Sequence, residues 1–178
     1  MTIKSKSALD TQLTTNLANN STGSITPALL RQVVQDLQDT VLGVYGAISV
    51  AGGSAAQGLT TSYAKLTGFA ANGLSSGMTP DHTNDQITVL TAGDVEVEIN
   101  LQGSGSGAGT FTFAPGLNGT ESSVYQGAHT CTGTETWSVK VLALITCAAN
   151  DIITVRGKAS ASLNFTPANA QLVVRRVS

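Results

Sequence analysis

DVEVEINL, residues 94–101, sets Val95, Val97 and Ile99 at alternate positions with Glu96, Glu98 and Asn100 between them. Successive side chains of a strand project to opposite faces, so this stretch predicts a strand with one face against a core and one face wet. Working outward, the same period of two predicts further strands over 62–66, 86–90, 110–113, 137–145, 151–158 and 170–177, separated by Gly, Asn, Asp and Ser clusters. Ile152, Val155, Leu172 and Val174 supply more inward positions. The run GSGSGAG at 103–109 reads as a flexible loop, and Asn118-Gly119 as a tight turn between strands. Short strands joined by turn-rich connections predict a mainly β protein built as a sandwich.

The composition agrees. Charged residues make up 11% and aromatics 4% of 178 residues, which suits short strands better than a helical enzyme and leaves room for one domain with an appendage. The net charge is -2 with the nine basic residues scattered, so no basic stripe exists to neutralise a run of phosphates and nucleic acid is not an expected partner. No apolar run is long enough to span a bilayer, and the N-terminus MTIKSKSALD lacks the apolar stretch of a secretory signal. Synthesis in a cytosol is therefore expected, with Cys131 and Cys147 kept as buried thiols. A sandwich with so few charges exposes much neutral surface, which association with copies of itself would hide.

Ahead of the strands the pattern differs. Residues 1–25 form a polar arm in which Leu9, Leu13 and Leu17 fall four apart, a stripe that could order on meeting a partner. Thr26 as cap and Pro27 at the first helical position predict a helix over 26–45, in which Leu30, Val34, Leu37, Val41 and Val44 make a two-heptad seam. So short a seam needs either its own sandwich or copies of itself to pack against. Residues 46–60 are small and Gly-rich and read as a hinge, and the sandwich occupies 61–178.

Catalytic chemistry finds little footing. His82 has only the loose company of Asp81 and Asp85, and no second ligand at a recognised metal spacing. His129 and Cys131 lie two apart and would share a strand face, but nothing announces the oxyanion hole a Cys-His pair requires. The glycine run lacks the lysine and following helix of a phosphate cradle. The expectation is a non-enzymatic chain with no catalytic residue, metal or cofactor. Tyr125 and Trp137 are the candidate stacking residues of ligand-binding loops.

The stretch LDTQLTTNLANNSTGSITPALLRQVVQDLQD, residues 9–39, resembles the N-terminal regions of tailed-bacteriophage virion proteins, tail-fibre and head-fibre subunits above all. The remainder resembles the trimeric jelly roll of the tumour necrosis factor and complement-head type. The likeness lies in Tyr63-Ala64-Lys65-Leu66 with Phe69, in Ala92-Gly93-Asp94-Val95, in Ala148-Ala149-Asn150-Asp151-Ile152, and in the closing 170–176, AQLVVRR. Val95 stands where that family commonly has an aromatic and Asn150 where it has a glycine, although Asn tolerates the same left-handed turn. The resemblance implies a homotrimer, its inner sheets meeting on an axis continued by the helices. It implies a capsid decoration (cement) protein or short head fibre on the outer surface of a virion, docked through the arm on the major capsid protein or another virion protein. The alternative it implies is a receptor-binding tail-fibre tip that adheres to a host-surface glycan or protein.

Overall fold

The computed structural model describes Thr11 and residues 43–177. The arm leucines Leu9, Leu13 and Leu17, and Leu30, Val34, Leu37 and Val41 of the predicted seam, lie outside the described residues. The strands in chain order are β1 (Tyr45–Ala51), β2 (Gln57–Leu59), β3 (Ala64–Lys65), β4 (Ala71–Asn72), β5 (Met78–Asp81), β6 (Gln86–Val89), β7 (Gly93–Gly105), β8 (Gly109–Leu117), β9 (Thr120–Glu121), β10 (Gly127–Cys131), β11 (Thr136–Cys147), β12 (Ile152–Ala159) and β13 (Leu163–Arg176). They form two antiparallel sheets. One runs β11-β7-β13-β1-β4 with β2 added beside β13; the other runs β10-β8-β12-β6-β5, with β3 beside β12 and β9 beside β8. Consecutive strands repeatedly cross from one sheet to the other, the connectivity of a jelly roll.

Period two is what holds the layers together. Val95, Val97 and Ile99 are fully buried on β7, and they meet Ile48, Leu172 and Val174 of the same sheet and Phe111, Phe113, Ile153 and Val155 of the other in one core. Each such side chain contributes about 2 kcal/mol by leaving water. At one end of the core four aromatic rings from both sheets converge. Phe165 of β13 lies 5.0 Å from Phe113 and 5.2 Å from Trp137, and Phe111 lies 5.3 Å from Trp137.

Two predicted turns appear as expected. Asn118 and Gly119 take φ of 50° and 85°, the paired left-handed geometry of a tight hairpin turn, and join β8 to β9. Asn150 takes φ of 70°, and its N–H donates to the Val89 carbonyl at 2.7 Å.

Three expectations are corrected. The segment 46–60 is no hinge: β1 pairs with β13 from Tyr45↔Arg175 to Ala51↔Asn169, and β2 pairs with β13 further along. Its alternation is carried by Ile48 and Val50 inward and Ala47 and Ser49 outward, and its side chains are small because neighbours crowd it. A Cβ on Gly46 would stand 3.1 Å from Met78 Cβ and 3.2 Å from Ile87 Cγ2. Val44 belongs to no helical seam; it is buried in the sandwich core just before β1, and its carbonyl accepts the Arg176 N–H at 2.7 Å. Gly43, at φ 71°, bars a right-handed helix from running on into it. The run 103–109 is largely strand, since β7 extends through Gly105 and β8 begins at Gly109.

The cysteines are free and buried. Cys147 pairs with Gly93 at one end of β7, while Cys131 Sγ lies beside Gly105 at the other. At about 3.3 Å per residue that separates them by roughly 40 Å, far beyond disulfide reach. Burial, with Asp151 and Asp94 nearby, pushes the Cys147 thiol up to about 11, so it stays protonated.

Candidate functional site

The outward side of the first sheet forms a regular grid, because four long strands pair without interruption across it. One row runs Tyr45–Arg175–Glu96–Leu144, the next Ala47–Val173–Glu98–Leu142, and the next Ser49–Gln171–Asn100–Lys140. Charges on this face close on one another. Arg175 Nε lies 2.6 Å from Glu96 Oε1, its Nη2 2.6 Å from Glu98 Oε2, and Lys140 Nζ 2.8 Å from Glu98 Oε1. Asn100 Nδ2 donates to Glu98 Oε1 at 3.0 Å. Pairs this near to water stabilise a lone chain little, about 0–1 kcal/mol each. Their larger effect is that the two carboxylates and two cations of this network cancel, so the network can be desolvated without stranding one of its own charges.

Beside this neutral network stand leucines that one chain leaves in water. Leu142 and Leu144 on β11 are 54% and 57% exposed, and among the described strands β11 lies at an edge, paired with β7 alone. Below them a hollow of about 620 Å³ is floored by Asn100, Gln102, Asn169 and Gln171. Around the β11 edge lies a second hollow, a groove of about 540 Å³ walled by Pro115, Leu117, Tyr125, Leu144 and Ile145.

Glu98 is the titratable hub of the face. Hydrogen bonds from Lys140 and Asn100 hold its carboxyl below the ordinary 4.5. A carboxylate with a depressed folded pKa stabilises above its unfolded value and loses that contribution as pH falls through the folded one. We expect Glu98→Gln to lower the thermal midpoint by a few degrees at pH 7, with the deficit shrinking as pH drops below about 4.5. Thermal unfolding followed by circular dichroism at pH 3, 5 and 7 checks it. A deficit independent of pH would assign the loss to packing instead.

The residues singled out in the sequence fall in different places. Trp137 is buried in the aromatic cluster and stacks on His129 at 5.0 Å, so it offers no platform to a ligand. Tyr125 is half-buried and lines the edge groove. His129 and Cys131 do share the inner side of β10, but the thiol is directed to the carbonyls of Gly107 and Gly109, at 3.2 and 3.3 Å, and away from any acid-base partner. Of the acidic group near His82, Asp85 is buried and accepts the Phe69 N–H at 2.9 Å, while Asp81 is engaged with Asn84. Among the described residues no three His, Cys, Asp or Glu side chains are disposed to hold a metal ion. Leu142 and Leu144 were not singled out by the sequence reading. The signal for them is the unbroken apolar run VLALI at 141–145, where an alternating strand would have put polar residues outward.

No protein-family model and no curated protein sequence matches the chain significantly. Solved structures do. The chain is similar to Eiger TNF from S. frugiperda (13% identity, TM-score 0.52, covering 76% of this chain and 93% of that one). It is similar to murine APRIL at 12% identity and TM-score 0.52, over 75% of this chain and 99% of that one. It is similar also to the globular domain of zebrafish complement 1qA protein, at 10% identity and TM-score 0.54, over 76% of this chain and 98% of that one. At such identities the likeness is one of fold, and the fold is the jelly-roll sandwich of the tumour necrosis factor and complement-head type.

Proposed function

We propose that this chain is a non-enzymatic structural subunit of a bacteriophage particle, a homotrimeric capsid decoration or short head fibre. In this reading residues 1–25 dock on the major capsid protein or another virion protein, and the jelly roll projects outward. The observation that carries it is the open face of the first sheet. A face on which Glu96 and Glu98 are matched by Lys140 and Arg175, and whose edge leaves Leu142 and Leu144 in water, is suited to meet copies of itself. Three copies turning these faces to a common axis would bury the leucines and leave the second sheet outside. The first strand of the sandwich begins at Tyr45, at one end of that same face. The resemblance of residues 9–39 to phage fibre N-termini supplies the anchor.

The alternative is a host-adhesion tip on the same fold. Burial of Trp137 removes one of its two stacking candidates, which places it second. One experiment addresses both. The full chain and a chain lacking residues 1–23 are each expected to sediment with the mass of three chains, and only the full chain is expected to attach to undecorated shells. A stable monomer at micromolar concentration overturns the architecture. Attachment by the shortened chain overturns the anchor, and binding to host cells in place of shells favours adhesion.

A further inference from the structure

Leu74 is the most exposed large apolar side chain among the described residues, at 82%. It stands in the connection from β4 to β5, between Gly73, whose N–H donates to the Ala47 carbonyl, and Ser76, which bridges Tyr45. Leu74 is therefore held at the height of the Tyr45 and Ala47 rows, beyond the β1–β4 edge of the first sheet. The apolar groove of Leu117, Tyr125, Leu144 and Ile145 lies at the opposite edge, and Leu144 is the far end of the Tyr45 row itself. A protruding leucine and an apolar hollow thus sit at opposite edges of one sheet, at the same height.

Such a pair cannot meet within one chain. Four strand spacings of about 4.8 Å separate the edges, roughly 19 Å. Between copies they can meet, because a knob and a hole on different surfaces define a head-to-tail contact, which closes into a ring when its rotation is a whole fraction of a turn, a third for a trimer. Electrostatics permits it. The segment 73–77, GLSSG, carries no charge, and the one carboxylate lining the groove, Glu121, is 3.3 Å from Arg156 Nε. The volume is sufficient for a leucine side chain and its flanking backbone.

We infer that Leu74 of one copy seats in the Leu117–Tyr125–Leu144–Ile145 groove of the next, fixing the rotational register of the assembly. This rests on the self-association proposed above and names its lateral contact. A Leu74→Cys/Tyr125→Cys double variant of the full chain tests it, with light scattering before oxidation and a non-reducing gel after. Cys131 and Cys147 are buried and do not compete. The expected result is a trimer that oxidises to covalent species of two and three chains, which neither single variant yields. A trimer that does not cross-link overturns the seating of Leu74 while leaving self-association intact; a monomer of the unsubstituted chain in the same light-scattering measurement overturns both. Leu74→Asp, at a site too exposed to disturb folding, is expected to raise the concentration for half-assembly by about tenfold or more. No change there also overturns the inference.

Discussion

Phe165→Ala is expected to cost the fold about 3–5 kcal/mol, a large part of the roughly 5–15 kcal/mol that stabilises an ordinary domain. The size follows from where the ring sits. Phe165 is wholly buried on β13 and is in contact with both sheets at once, with Phe113 at 5.0 Å and Phe111 at 6.2 Å across the sandwich and Trp137 at 5.2 Å within its own sheet. The chain has only four Phe and one Trp, and four of these five rings meet here, so no other cluster of this kind can compensate. The neighbours are large, rigid and held in paired strands, so they collapse poorly into the space left behind, and the cavity remains as a cost. Urea unfolding followed by Trp137 fluorescence measures the loss at the site itself. Tyr45→Ala, on a ring 36% exposed, should cost well under half as much. Equal losses at the two positions would mean that the aromatic cluster does not organise the core.

How far this architecture can be read from the chain depends on the range of the interaction that decides each element. DVEVEINL declares its strand and its faces locally, and Val95, Val97 and Ile99 are buried as the alternation requires. Asn118-Gly119 and Asn150 likewise declare their turns through their own backbone preferences. The partners of Glu98 are not legible in this way. Arg175 lies 77 positions away, and only the antiparallel pairing of β7 with β13 brings them together. β1 was hidden for another reason. Gly, Ala and Ser suit a mobile connector and a crowded strand equally, and the crowding of Gly46 comes from Met78 and Ile87 of the second sheet. Trp137 carries the same ambiguity, since an indole serves a binding loop or a core alike. Its inward position on β11, opposite Gly103, decides for the core. The candidate face was half legible. Its polar columns follow from alternation, while its apolar edge showed only as a missing alternation at 141–145.

Within the glycine run, substitution at two glycines four positions apart should have opposite outcomes. Gly103 lies on the inner side of β7, where an added Cβ would stand 2.4 Å from the Thr166 carbonyl oxygen and 2.5 Å from Phe165 Cε2. Neither can yield cheaply. The carbonyl belongs to β13, paired to β7 at this point through Thr166↔Ser104 and Pro167↔Gly103, and the ring is fixed among three others. Alanine restricts the unfolded chain and so favours folding by about 0.5–1 kcal/mol, but overpacking of this severity costs about 3 kcal/mol, so Gly103→Ala should be strongly destabilising. At Gly107, in the turn between β7 and β8, the nearest atom to an added Cβ is Leu163 Cδ2 at 3.7 Å, an ordinary contact. There only the entropic gain remains, and Gly107→Ala should leave stability unchanged or raise it by about 0.5 kcal/mol. Parallel urea titrations compare the two, with unchanged slopes required before midpoints are read as stabilities. A flexible loop would treat both substitutions alike. A strand whose inner glycines make room for the aromatic cluster would not, and an equal response would return 103–109 to the status of a loop and leave the close approach of β7 and β13 without its cause.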